Sequence, residues 1–212
     1  MARKVFQLNI RSASMDKYLQ SCKTEFWKNV FKAEIDYLLR ELEGAKDVLS
    51  VGCGPAIIEA GLAEHGFNIT GLDISKEALD QAPDSIRTIV GSADNMNFAD
   101  SSFDAAIYVA SIQFIDDYKE AIRQTTRILR PAGRIMAMLI NPESEFFKEK
   151  TKEPTSYVNK IKHTNLKEIE RAIAEHFSVQ TEYFLGIKGQ QLFESQDPKL
   201  ASLYVIKGTK KL

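Results

Sequence analysis

Between Asp47 and His65 the chain passes from a short apolar run, Val48-Leu-Ser-Val51, through Gly52-Cys-Gly54-Pro55 into a helix-forming stretch, and no other segment restricts the fold as strongly. A strand that turns on glycine straight into a helix opens a βαβ unit, the context that gives a glycine-rich loop meaning. Gly52 lets the backbone turn, and Gly54 lets a ligand approach without meeting a Cβ. At the carboxyl end of a strand in an open α/β sheet, such a loop borders the crevice where ligands bind. Its N–H groups, at a helix start, suit an anionic group such as a carboxylate. About twenty residues on, Asp73 ends a second apolar run, where a carboxylate can accept both hydroxyls of a ribose. Ile74 comes next, placed to cover one face of an adenine.

The rest of the chain repeats the alternation. Residues 15–43 carry apolar side chains at three- and four-residue steps, predicting one amphipathic helix closed by Gly44. Strands are expected at Asp47–Val51, Phe67–Leu72, Ile86–Val90, Phe103–Ala110 and Arg134–Ile140. Helices fall between them: from Ala56 to His65 with Pro55 at the first helical position, from a Ser75 cap to Gln81, and from Asp117 to Leu129. That order implies a parallel, doubly wound sheet with right-handed crossovers. Asn165 and Glu168 form a capping box for a helix to His176. Two strands, Ser178–Leu185 and Ala201–Lys207, then follow without a helix between them and so pair antiparallel. The expectation is an α/β, Rossmann-like sheet of seven strands in a single domain over 1–212. Residues 1–44 would form a helical cap, 45–140 the cofactor-binding core, and 141–165 a lid; the polar stretch Lys148–His163 reads as a surface excursion.

Charge and cysteines narrow the function classes. Twenty-eight Lys and Arg against 29 Asp and Glu leave no basic excess to attract a nucleic acid. Cys22 and Cys53 lack the spacing of a disulfide framework or zinc site. Neither a signal peptide nor a membrane span is evident, so the expected compartment is the cytoplasm.

Val48–Ala56 resembles the first motif of class I S-adenosylmethionine (SAM)-dependent methyltransferases, whose loop follows Gly-x-Gly-x-Gly. Gly91–Asp104 resembles that family's stretch leading into strand 4, and Ala121–Arg134 its helix-to-strand-5 segment, ending in a Leu-Lys-Pro-Gly-Gly-like turn. The subgroup most similar is the small ubiquinone/menaquinone-biosynthesis type. The resemblance implies SAM as cofactor, held by Ser50, Gly52, Cys53 and Gly54 at its amino-acid end. It places Asp73 and Ile74 at the nucleoside, Asp94 at the adenine amino group with Ala93 and Asn95 beside it, and Ala110 at the end of strand 4. Two positions depart from the pattern: Ser50 stands where the family has an acid for the SAM amino group, and Ala56 replaces the last glycine. Both keep open a non-catalytic binding or scaffolding module. An NAD(P)-dependent oxidoreductase is the third reading, set back by Ile57, which fills the position where a dinucleotide fingerprint has glycine.

Methyl transfer needs alignment more than a fixed catalytic side chain, and no such side chain stands out. Electron-rich rings favour a sulfonium, which makes Phe114, Tyr108, Tyr18 and Trp27 candidates by position. By analogy with the family, Tyr18, Phe114, Phe146 and Tyr157 shape the acceptor pocket, with Phe147 adding apolar surface. His65, His163 and His176 read as helix-end or loop residues, Asp117 as an N-cap, and Cys53 as a small turn residue with no base beside it. No sequence for base methylation follows strand 4, so a small-molecule acceptor is expected.

Overall fold

The computed structural model describes residues 19–211, so Tyr18 lies outside the described residues. Eight strands form one sheet: β1 (Asp47–Val51), β2 (Asn68–Asp73), β3 (Arg87–Val90), β4 (Phe103–Val109), β5 (Leu129–Ile140), β6 (Phe177–Lys188), β7 (Gln191–Phe193) and β8 (Ala201–Lys210). Their order is β3-β2-β1-β4-β5-β8-β6-β7. β1 to β5 pair in parallel, while β8 runs antiparallel to both β5 and β6. The expected seven strands become eight because Gly189, with φ +59, turns β6 back on β7.

Strand residues alternate between two cores, one on each face. Leu49, Ala106, Tyr108, Ile135, Ala137 and Tyr204 point to the face covered by α4 (Tyr118–Ile128) and α6 (Leu166–His176). Val48, Ile107, Met136, Met138, Leu203 and Val205 point to the other, under α1 (Glu25–Glu41) and α2 (Ile57–Ala63). This period of two, with apolar side chains on both sides, is why the strands read as continuous apolar runs. Full burial of a side chain such as Leu38 or Leu49 is worth about 1.5–3 kcal/mol.

Local chemistry sets the boundaries. Asp117 and Asn165 accept the backbone N–H groups of Glu120 and Glu168, as their N-cap roles require. The short α3 (Lys76–Leu79) starts on Ser75, which accepts the N–H of Ala78. The long N-terminal helix is not continuous: residues 19–22 are helical, the chain breaks at 23–24, and Thr24 caps α1 by accepting the Trp27 N–H. A side chain that satisfies a free N–H competes with an unbroken helix there. Pro55 is not the first helical residue, because Ala56 precedes α2 as its N-cap in the left-handed region, φ 56. β5 begins earlier than expected. Leu129 already pairs with Phe103, and the Pro131–Gly133 turn is absorbed as an irregularity with Ala132 at φ 59.

Three clamps hold the C-terminal end of α1 on this face of the sheet, and its N-terminal end reaches the first of the cavities described below. Arg134 donates to the carbonyls of Glu41, Leu42 and Glu43, satisfying the end of the helix. The Tyr37 hydroxyl donates to Glu182 at 2.6 Å, and Lys207 bridges Glu41 and Glu182. Gly61 of α2 lies so close to α1 that a Cβ there would overlap Ile35.

Candidate active site

Strand order reverses between β1 and β4, and the loops leaving those two strands meet at that switch point. Gly52 turns there with φ +74; a Cβ on it would lie 2.6 Å from that of Ser111, whose hydroxyl donates to the Val51 carbonyl. Gly54 (φ +54) has nothing within 4 Å of its missing Cβ and faces open cavity. Asp73 turns into the crevice: its two carboxylate oxygens accept the N–H groups of Gly54 and Ser75, each at 2.8 Å. Each oxygen keeps a lone pair for a ribose hydroxyl.

Two cavities meet at Gly52, Asp73, Ala110 and Phe114. The second, of about 360 Å³, is flanked by Ile74, Gly91, Ala93 and Asp94. Ile74 is 76% exposed at this wall and turns its apolar side chain to the open side of the cavity. Arg127 holds this wall, donating to the carbonyls of Met96 and Phe98 and pairing with Asp100 at 2.6 Å. Asn95 is exposed and does not line either cavity, so the structure does not join it to the site.

The first cavity, of about 320 Å³, runs from Ser50 and Gly54 to Trp27, Phe146 and Tyr157. The stretch expected as a surface excursion instead turns inward. Ser144 caps α5 (Glu145–Lys150), Phe146 is buried, and a 3-10 turn at Tyr157–Lys160 buries Val158. An apolar side chain on each short helix overrides the weak periodicity that suggested surface. Of the four ring candidates, Phe114 stands where the cavities join and Trp27 lines the first one. Tyr108 does not reach the site: it is fully buried, and its hydroxyl meets Thr125 at 2.7 Å.

Two carboxyls that sequence reading passed over also line the first cavity. Glu59, on α2, accepts the Ser50 hydroxyl with one oxygen and has no partner for the other among the described residues. Burial pushes its carboxyl up to about 7, opposed by the Ser50 hydrogen bond and aided by the charge of Asp73. Glu34 lies on the apolar stripe of α1 between Val30 and Tyr37, and burial followed by the nearby Glu59 raises it to about 8. The signal was present in each case as a lone acid inside an apolar pattern. The Cys53 thiol is pushed up by burial and then by Glu59 and Asp73, which leaves it no nucleophile. A Cβ at Gly71 would collide with its sulfur at 2.6 Å.

His65 Nδ1 sits 2.9 Å from the Gly61 carbonyl at its helix end. His163 packs edge-on against Tyr118, with Nε2 at 2.9 Å from the Ile115 carbonyl. No described helix is long and apolar enough to cross a membrane.

Residues 49–137 match a family described as the methyltransferase domain. That segment is similar to the family, and the chain as a whole has the fold of solved SAM-dependent methyltransferases, whose cofactor is SAM. A SAM-dependent methyltransferase of Thermotoga maritima, described as a possible histamine N-methyltransferase, superposes with a TM-score of 0.77 at 20% identity, covering 92% of this chain and 95% of its own. Among curated relatives, an O-methyltransferase of Aspergillus sclerotiorum is 33% identical over 98 residues, 42% of this chain and 37% of that protein. A ubiquinone biosynthesis O-methyltransferase of Alkalilimnicola ehrlichii is 28% identical over 125 residues, 53% of this chain and 51% of that protein. The chain therefore spans about half or less of these two curated relatives.

Proposed function

We propose that this chain transfers the methyl group of SAM to a small molecule seated in the first cavity. The observation that carries the reading is Asp73, fixed by two backbone N–H groups at the seam between two joined cavities. A cofactor with a nucleoside at one end and an amino acid at the other needs such a bend. Asp73 accepts the ribose hydroxyls, while Ile74, Ala93 and Asp94 enclose the adenine. Gly52, Cys53 and Gly54 pass the amino-acid end.

The missing family acid at Ser50 is made good by Glu59. Ser50 fixes one carboxylate oxygen, and the second, unpartnered and closed off in the empty cavity, gains a partner when the side chain turns to the cofactor's ammonium group. That removes half the motive for a decayed, non-catalytic site. When bound, the cofactor supplies an electrophilic methyl on a sulfonium. Phe114 offers a ring face to that cation, and the walls exclude water and align the acceptor. The relatives' names point to several acceptors, O- and N-nucleophiles among them, so none is taken over from them.

Calorimetry with S-adenosylhomocysteine tests this: the wild type binds, and Asp73→Ala loses binding. Equal affinity in the two proteins would refute the reading.

A further inference from the structure

The first cavity holds one carboxyl more than the cofactor needs. Glu34 is buried on α1, and among the described residues no hydrogen-bond donor or cation meets it. The titratable groups around it offer no relief: Glu59 on α2 adds like charge, and Tyr157, beside Cys22, is a phenol whose ionisation Glu34 opposes. A buried acid with no counter-charge is costly, and the cost is relieved when a cation enters. Beside it stands a cluster of rings. Trp27 packs against Phe31, Phe146 and Tyr157 at centroid separations of 5.9, 6.3 and 6.4 Å. Aromatic rings lining one cavity with a buried carboxyl form a seat for an organic cation.

We propose that the methyl acceptor is a small primary or secondary amine, seated as its ammonium among Trp27, Phe146 and Tyr157 and deprotonated by Glu34; this rests on the methyl-transfer reading above. The bound ammonium gives one proton to the Glu34 carboxylate, leaving a neutral amine and a carboxylic acid. The nitrogen lone pair forms the new N–C bond while the methyl carbon's bond to sulfur breaks and its electron pair stays on sulfur. The product is the methylated ammonium, and Glu34 returns its proton to water as the next ammonium enters and offsets the carboxylate. A carboxyl poised near 8 lies close enough to an ammonium for this exchange to cost little. An alcohol of the same shape brings no cation, so Glu34 stays protonated and gives it no ion pair.

The test is calorimetry on the whole chain saturated with S-adenosylhomocysteine. Butylamine, cyclohexylamine and 2-phenylethylamine are each compared with butanol, cyclohexanol and 2-phenylethanol. At least one amine should bind tenfold or more tighter than its alcohol, and Glu34→Gln should erase the difference. Glu34→Met serves as a second variant should the Gln protein unfold. Amines that fail to bind, that bind no better than the alcohols, or that keep their advantage in both variants would overturn the proposal. Failure of S-adenosylhomocysteine itself to bind strikes instead at the methyl-transfer reading, and the amine proposal falls with it.

Discussion

The two joined cavities are built by different means. The second, where we place the nucleoside, comes from loops at the ends of neighbouring parallel strands, with Asp73 held at its edge by two backbone N–H groups. The first cavity, where we place the acceptor, is assembled from α1, α5, the 3-10 turn at Tyr157 and, through Leu185, Ile187 and Leu203, strands β6 and β8. One half is written in local motifs. The other depends on distant elements meeting, and it stores two acids under strain from burial. On the proposed reading, recognition of a shared cofactor and choice of an individual acceptor fall to different parts of one crevice.

The largest effect that could break this contrast is on stability against pH. Glu34 and Glu59 hold their protons to about 8 and about 7 when folded, against an ordinary 4.5. The folded state thus binds more protons than the unfolded one, and stability falls as pH rises from about 4.5 through 8. Each tenfold change in acidity is worth about 1.4 kcal/mol, so the loss should reach several kcal/mol. Melting curves of the empty protein from pH 5 to 8.5 should slope downward, and Glu34→Gln with Glu59→Gln should flatten them. A flat wild-type profile would mean the acid side is not strained.

On the nucleoside side, Asp73→Ala should cost about 2–4 kcal/mol of both adenosine and S-adenosylhomocysteine binding, measured by calorimetry. Glu59→Gln should cost about 1.5–3 kcal/mol for S-adenosylhomocysteine, whose ammonium it meets, and leave adenosine unchanged. Equal losses for both ligands would erase the boundary between the two halves. The smallest effect is at Ala56, where φ 56 strains a residue with a Cβ. Ala56→Gly relieves that strain but frees the unfolded chain, for a net gain of about 0.5 kcal/mol and a melting point higher by about 1–2 °C.

The same contrast explains what could be read from sequence. Gly52, Gly54, Asp73 and the Asp117 and Asn165 caps were legible because each rests on chemistry within a few residues or at a fixed strand end. The break before α1 was missed because Thr24 could serve equally as a helical residue or as a cap. β7 was missed because three residues carry too little pattern. Glu34 and Glu59 sat in view as acids on apolar faces. Their meaning depends on α1 lying against α2 through Gly61, a contact that no spacing rule encodes. Tyr157 and Phe146 were named by resemblance, yet the polarity of their segment hid that it folds inward.

Strand β8 lies between β5 and β6, although it follows both in the chain. On the ribosome, β1 to β5 can zip together while the downstream residues are still being made. The β6–β7 hairpin, carrying Leu185 and Ile187, has no partner on β5 and must wait until the stretch through Lys210 has emerged. Vectorial synthesis therefore shapes the Gly52 and Asp73 loops before the far wall of the first cavity, which waits on the insertion of β8 between two strands already made.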